Sequence, residues 1–453
     1  AKRKIVDDEY DELNSYLKRI KEGPSPSEYS GRGNKGWPSG QFGEDPLYLN
    51  HRPASASGNP VAIYHPVFEK FVKDCRTAVL TQETYDHVVE LTESMSDAFR
   101  NEDLQTDEFH RLLERFNITV NRIGIDKCTT DGTALAGDGC FFVINVEVKP
   151  ELGEGNGCPY IQGIVYYGKR VAHYLETRKE QRTRLPCFIL YLAGPFLGVA
   201  GVIYSHGKIL ADPLIGPIPL MLLRYDREQM MKIARVFTAL ESAYNTLHEY
   251  YNSPETGPQS LWPYYQAFNY QHKQVEFEYR EQLYKDKLLF VVETKQNPDI
   301  PGLPRRLLVK FTESYGEAVH QFCADRGFAP KLFECYKLSV RWKVVIMEYL
   351  EDYVNLYDAV DAKAEWKEKI KKSIEEMHRA GFVHGDLRKP NILYQETGES
   401  INVVLVDFDW AGEAGKVSYP SFLNIQSVRR HSDARSDKVI TPEHDIFSLS
   451  TLM

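Results

Sequence analysis

His384-Gly385-Asp386-Leu387-Arg388-Lys389-Pro390-Asn391, with Asp407-Phe408-Asp409 sixteen residues beyond it, decides how this 453-residue chain is read. Apolar runs flank both parts: Gly381-Phe382-Val383, Ile392-Leu393-Tyr394, and Val403-Val404-Leu405-Val406 just ahead of Asp407. Short apolar runs between turn-forming residues predict strands. An Asp on a loop, an Asn five residues later, and a second Asp closing the next strand suit phosphoryl transfer from ATP. The first Asp aligns an attacking hydroxyl; the Asn and the second Asp hold Mg²⁺ against the triphosphate.

The surrounding sequence extends that reading. Val275 to Leu283 and Leu288 to Thr294 predict a hairpin, and Arg306 to Phe311 a third strand, on which Lys310 resembles the strand Lys of protein kinases that meets the α- and β-phosphates. Glu317, on a helix starting at Tyr315, is the candidate partner of Lys310, with Glu313 as fallback. Val344 to Leu350 predicts a strand running into a hinge, where Glu348 and Leu350 offer backbone groups to adenine. Trp366 to Arg379 predicts the helix before the loop. Asp386 would orient the acceptor hydroxyl and Arg388 balance γ-phosphate charge, with Asn391 and Asp407 as metal ligands. His384 reads as structural, packing beneath the metal-binding loop. Asp445 would brace the loop backbone from a helix that follows Thr441-Pro442-Glu443. These motifs resemble the protein kinase catalytic and metal-binding loops. The chain departs from that pattern at Gly385 in place of Arg, at Asp409 in place of Gly, and in lacking a Gly-rich phosphate loop. The first hairpin turns instead at Tyr284-Lys285-Asp286-Lys287. Aminoglycoside phosphotransferase-like kinases share the Gly and Asp variants.

Hydrophobic content of 42%, charged content of 26% and a net charge of −9 describe an ordinary globular chain long enough for two or three domains. No global basicity advertises nucleic acid, so any such site is a local patch. Seven Cys without a Cys-x-x-Cys read as reduced thiols of an intracellular protein, in cytoplasm or nucleus. The most apolar stretch, Cys187 to Ile203, is broken by Gly194-Pro195, Gly198 and Gly201; neither a membrane span nor a signal peptide is predicted. The chain opens on Ala1 and stops inside a predicted helix, which reads as incomplete at one or both ends.

A second informative stretch lies upstream. Ile123 to Ala136 and Cys140 to Val148 predict two strands joined at Gly137-Asp138-Gly139, the second ending Glu147-Val148-Lys149. Residues two apart on a strand share a face, so Glu147 and Lys149 point into one site. Hairpin register makes Asp131 the upstream acid. Gln162 and Tyr166 fall one helical turn apart on the helix that follows. Lys169, Arg170, Arg178, Lys179, Arg182 and Arg184 give that region a basic face, which reads as a DNA contact or a solvated surface. Two further strands, Pro186 to Ala193 and Leu197 to Ser205, complete an order that resembles the PD-(D/E)XK nuclease core with a Gln-x-x-x-Tyr helix. That resemblance implies Mg²⁺ on the carboxylates and Lys149 facing a scissile phosphate.

The expected fold class is multidomain α/β and α+β: a restriction-endonuclease-like α/β domain followed by a bilobal kinase-like fold. The expected divisions are 1–65, a helix and a Gly/Pro/Ser-rich segment of loop or partial disorder; 66–225, nuclease-like; 226–272, a helical linker; and 273–453, kinase-like. The pairing resembles the fungal-specific protein kinases and the Crinkler-type proteins of fungi and oomycetes. It implies an ATP- and Mg²⁺-dependent Ser/Thr protein kinase acting on an unidentified protein, with DNA contact through the first domain and no membrane partner. Two alternatives stay open: an Mg²⁺-dependent DNA nuclease regulated by a kinase-like domain, and a small-molecule phosphotransferase. Oligomeric state and nuclease competence are not legible.

Overall fold

The computed structural model describes residues 2–31, 36–37, 41–153, 157–177, 184–253, 260–295, 300–359, 364–398 and 400–452. The chain divides into two compact units, Ala1–Tyr265 and Gln266–Met453.

Among the described residues, the first unit is built on a six-stranded sheet. Its strands are β1 (Tyr48–Leu49), β2 (Gly132–Ala136), β3 (Phe141–Lys149), β4 (Cys187–Ala193), β5 (Phe196–Ser205) and β6 (Lys208–Pro219), in the order β1-β6-β5-β4-β3-β2. β2 pairs antiparallel with β3 around a turn in which Gly137, Asp138 and Gly139 all have φ between 55° and 76°, a left-handed run that glycine tolerates. β3 and β4 run parallel, and the helix Pro159–Thr177 makes the crossover between them. β3 is buried along almost its whole length, as its near-continuous apolar sequence demands for a strand covered on both faces. Gly163 lets the crossover helix press onto the sheet: a Cβ there would lie 2.5 Å from Ile189 Cγ2 and 3.3 Å from Glu147 Cγ. Two of the basic residues are committed to backbone carbonyls. Arg170 donates to the Gly139 and Cys140 carbonyls, and Arg184 to those of Tyr64 and Trp262, so neither is free to meet a phosphate. Arg178, Lys179 and Arg182 lie outside the described residues.

Two expected divisions are corrected. Residues 1–65 do not stand apart from the nuclease-like segment. On the helix α1 (Lys2–Glu22), Tyr16 is buried and donates to the Gly168 carbonyl at 2.5 Å, while β1 adds to the sheet edge beside Ile209 and Leu210. Aromatic side chains at Tyr16, Tyr29 and Tyr48 complete the core that the crossover helix would otherwise leave open. The segment 226–272 is not a linker either. Its helix Arg227–Asn252 buries Ile233, Val236, Phe237, Leu240 and Leu247 within the first unit, with the Phe237 ring 4.7 Å from that of Phe116.

The second unit opens with an antiparallel sheet. Its strands are β7 (Ala267–Tyr270), β8 (Lys273–Gln282), β9 (Leu289–Thr294), β10 (Arg306–Thr312), β11 (Leu332–Lys337) and β12 (Lys343–Glu348), ordered β11-β12-β10-β9-β8-β7. The short helix Glu317–Ala324 follows β10. Beyond β12 come the helix Ala364–Arg379, the loop 384–391, a hairpin of β13 (Ile392–Thr397) and β14 (Ser400–Leu405), and the helix Pro442–Leu452. Among the described residues, no helix is long and apolar enough to cross a membrane.

Because Phe237 is fully buried in the first unit, Phe237→Ala should destabilise that unit by about 3–5 kcal/mol. Urea unfolding followed by tryptophan fluorescence checks this. An unchanged midpoint would return the helix to the role of a spacer.

Candidate active site

The second unit gathers its ionisable side chains at one cleft of about 380 Å³. Leu283, Leu289, Leu308, Met347, Leu393 and Val406 supply apolar walls, and Lys310, Asn391 and Asp407 line the same cavity. Lys310 reaches it because period-2 alternation on β10 sends Leu307, Val309 and Phe311 into the sheet's buried face and Lys310 to the other. Its ammonium donates to Asp407 Oδ1 and lies 2.6 Å from Asp409 Oδ1. Burial favours the neutral amine, but the two carboxylates outweigh it and hold Lys310 above its ordinary range. Burial also works against the Asp407 carboxylate, yet Lys310 keeps that group below the usual range. Asp409 goes the other way, pushed up to about 6 by burial and by Asp407 despite Lys310. Asp407 adopts φ +70°, a left-handed conformation that few non-glycine residues take and that marks a constrained turn.

The loop is braced from below. Asp445, buried on the last helix, accepts from the backbone N–H of His384 at 2.8 Å and of Gly385 at 2.9 Å. Gly385 has φ +81°, and a Cβ there would meet Ile440 Cδ1 at 2.9 Å; glycine is required on both counts. His384 Nδ1 accepts from Asp386 N at 3.3 Å, so its Nε2 is the donor to Val406 O at 3.2 Å. Phe408 lies under this loop, stacked on the His320 ring at 4.7 Å and tilted against His384 at 5.2 Å. Burial pulls His320 down to about 4, so it stacks as an uncharged ring. Asn391 Nδ2 donates to Asp386 O and to Asp386 Oδ2, both at 2.9 Å, tying the two loop residues together.

The sequence-predicted residues therefore fall into two sets. Lys310, Asp386, Arg388, Asn391 and Asp407 come together, and Glu348 and Leu350 line the same cleft. The Glu348 N–H already donates to Lys331 O at 2.9 Å, so its amide is committed within the sheet. Glu317 is a correction. It is exposed at the start of its helix and interacts with Cys335, while the fallback Glu313 pairs with Arg341 at 2.6 Å. The loop from β10 to the helix is too short to turn Glu317 inward, and Asp409 takes the place beside Lys310. Two residues escaped the sequence reading. Lys287, on the glycine-free hairpin turn, lines the cleft and helps hold Asp407 low. Arg430 donates to Asp386 Oδ1 at 2.9 Å from 44 residues downstream. The Lys in the turn was a legible signal; the Arg, in a loop without pattern, was not.

In the first unit Asp131, Glu147 and Lys149 also meet. Asp131 Oδ2 accepts from Val148 N at 2.8 Å across the hairpin, and Lys149 Nζ pairs with Glu102 Oε2 at 3.2 Å. Glu147 is fully buried; its Oε1 takes a long 3.4 Å contact from Asn145 and its Oε2 has no partner. Burial, with Asp131 adding to it, raises its carboxyl well above the usual range. Tyr166 donates to Thr129 O at 2.6 Å, and Gln162 Oε1 lies 3.5 Å from Ser30 Oγ. Glu102, first residue of a helix capped by Asn101, is the member that sequence reasoning missed. Among the described residues, no three or more His, Cys, Asp or Glu side chains are grouped so as to hold a metal ion.

Comparison with known proteins bears on the second unit. A family model described as Lipopolysaccharide kinase (Kdo/WaaP) family matches residues 332–432, the span from β11 through the loop to the segment carrying Arg430. No curated protein matches. Among solved structures, the Cydia pomonella granulovirus kinase PK-1 is similar at 17% identity and a TM-score of 0.31, over 38% of this chain and 65% of its own. The second unit is kinase-like.

Two outcomes follow from the cleft. Lys287→Ala should let the Asp407 carboxyl titrate higher, because one of the cations that hold it low is gone; an NMR-monitored pH titration checks the upward shift. Asp409 binds its proton more tightly in the folded state, so its contribution to stability is present below about pH 4 and lost as pH rises toward 6. Asp409→Asn lacks that decline and should gain stability relative to wild type between pH 4 and 7 in thermal unfolding. A pH-independent difference between the two would contradict the assignment.

Proposed function

We propose that the second unit transfers the γ-phosphoryl group of ATP to an aliphatic hydroxyl, that of a protein Ser or Thr being the acceptor the sequence favours. The observation carrying this is the joining of Lys310, Asp407 and Asn391 at one cleft with an apolar wall, with Asp386 hydrogen-bonded to Asn391 behind it. The apolar side chains suit a planar adenine. Lys310 and Lys287 face the phosphates.

The residues also fit a divalent cation. Asn391 gives both its N–H contacts to Asp386, which leaves its Oδ1 as an acceptor, and Asp407 engages Lys310 through Oδ1, which leaves Oδ2. Two hard oxygens suit Mg²⁺, which keeps waters and phosphate oxygens as its other ligands. When bound, the ion neutralises charge on the phosphate oxygens. Asp386 orients the acceptor hydroxyl and takes its proton as the new O–P bond forms and the bond to the β,γ-bridging oxygen breaks. Arg388, already against Asp386 Oδ2 at 2.9 Å, stands where γ-phosphate charge develops.

Asp386→Asn should lower kcat by about 10²- to 10⁴-fold with ATP affinity retained, and Asp407→Ala should abolish transfer. Labelled ATP offered with peptides and with saccharides checks both and names the acceptor; the matched family's name makes a saccharide hydroxyl the arm to compare. Wild-type activity that survives Asp386→Asn would remove the reading.

A second reading attaches to the first unit. The unpartnered Oε2 of buried Glu147, beside Asp131 and Lys149, supports a nuclease-like site in which these carboxylates receive a cation and Lys149 faces a DNA phosphate. Glu147→Gln and Lys149→Ala should each abolish Mg²⁺-dependent nicking of plasmid DNA. Nicking unchanged in both, or absent from wild type, removes this reading and leaves the first untouched.

A further inference from the structure

Both carboxylate oxygens of Asp386 are engaged, and three of the roughly four acceptor sites they offer are taken. Oδ2 accepts from Arg388 Nε and from Asn391 Nδ2, and Oδ1 accepts from Arg430 Nη2, each at 2.9 Å. The two partners of the last pair are buried together, with side-chain exposures of 8% for Arg430 and 7% for Asp386. Arg430 comes from a segment that folds on a small core of its own, made by Val383, Tyr419, Leu423, Ala434 and Ile440. Its Nε donates to Asn424 O at 3.2 Å, and its guanidinium lies 5.0 Å from the centre of the Trp410 ring. The contact is therefore held from several sides and is not a loose surface pair.

A hydroxyl that hands its proton to Asp386 needs one of those oxygens. Oδ2 is fixed from within the loop, by the same Asn391 that faces the phosphates. Oδ1 is held by a buried group from outside the loop, so an acceptor hydroxyl must come onto the oxygen that Arg430 covers, sharing it or displacing the guanidinium. Breaking a buried ion pair without replacing it leaves a charge uncompensated on each side. A neutral acceptor frees the carboxylate but abandons the guanidinium. An acceptor with an anion beside its hydroxyl satisfies both.

We propose that Arg430 selects the acceptor, admitting hydroxyls that carry a neighbouring carboxylate or phosphate. This rests on the phosphotransfer reading above. The anion draws the Arg430 guanidinium off Oδ1, and the hydroxyl moves onto that oxygen. Transfer then forms the acceptor O–Pγ bond, breaks the bond from Pγ to the bridging oxygen, releases ADP, and leaves the proton on Asp386. The surroundings favour an anion. Within Arg429–Lys438, four fixed cations (Arg429, Arg430, Arg435, Lys438) face two acids (Asp433, Asp437), in a chain whose net charge is −9. Arg429, Arg435 and Lys438 are exposed.

The test uses the full chain with ATP and Mg²⁺ and two matched acceptor pairs: a Ser peptide flanked by Glu against the same peptide flanked by Gln, and a hexose phosphate against the free hexose. Wild type should favour the charged member of one pair by roughly tenfold or more in kcat/KM, and that pair names the source of the anion. Arg430→Gln should bring the charged and neutral members of that pair to within about twofold, chiefly because the neutral one gains kcat. Arg430→Lys, which keeps the charge without the fork, should fall between, and it serves if the Gln variant does not fold. Equal use of both members by wild type, an undiminished preference in Arg430→Gln, or an equal loss on all acceptors would each overturn the proposal. Failure of wild type to phosphorylate any of the four acceptors or itself overturns the phosphotransfer reading and this proposal with it. Phosphorylation without charge preference overturns this proposal alone.

Discussion

Lys310 between Asp407 and Asp409 is the constraint on which the second unit's chemistry depends. A buried ammonium is tolerated only where carboxylates offset its desolvation, and here two of them contact it. With two acids the cluster carries excess negative charge, and the protein relieves it by letting Asp409 hold a proton up to about pH 6 while Asp407 stays ionised. Asp409 thus does more than fill the place of a missing Glu. It gives the Lys310 ammonium a second contact, while Asp407 meets that ammonium through Oδ1 alone.

The geometry of that cluster is inherited from the backbone beneath it. Asp445 fixes the N–H groups of His384 and Gly385, and those residues set where Asp386 begins. His384 then links Asp386 N to Val406 O, so the loop and the strand end that carries Asp407 cannot shift independently. Phe408, buried between the His320 and His384 rings, pins the turn from below. A chain of short contacts therefore runs from the last helix to the Asp407 carboxylate. Each link is a group already satisfied, which makes the arrangement one of preorganisation rather than of closure around a ligand.

How much of this the sequence disclosed follows from how local each feature is. Asp386, Asn391 and Asp407 were legible because a loop and the strands on either side fix their spacing within 22 residues. Lys310 was legible from strand alternation, and Asp131 from hairpin register. Glu317 was misplaced because its role depends on a helix position that spacing alone does not set. Residues 1–65 looked like a separate segment because their Gly, Pro and Ser mask a handful of tyrosines whose value lies in a core contributed from elsewhere; Tyr16 meets Gly168, 152 residues on. The helix Arg227–Asn252 looked like a spacer for the same reason: its amphipathic stripe announces burial but not against what. Arg430 lies in a stretch with no periodicity and Glu102 at the start of a helix, and nothing local marks either as a long-range partner.

The absence of a Gly-rich loop then has a physical reading. Glycines let backbone amides approach phosphates closely, and donors of that kind carry no net charge. This chain places side-chain cations instead: Lys287 on the first hairpin, Lys310 on β10, Arg388 beside Asp386. Cations attract phosphate over longer distances than amides do, and they need no tight turn. They also attract carboxylates when no phosphate is present, and the three acids of the cleft are each engaged by one of them or by Arg430. In a site assembled from fixed side-chain charges the acids already engage the cations. Ligand binding then becomes an exchange of ion pairs rather than the creation of new ones.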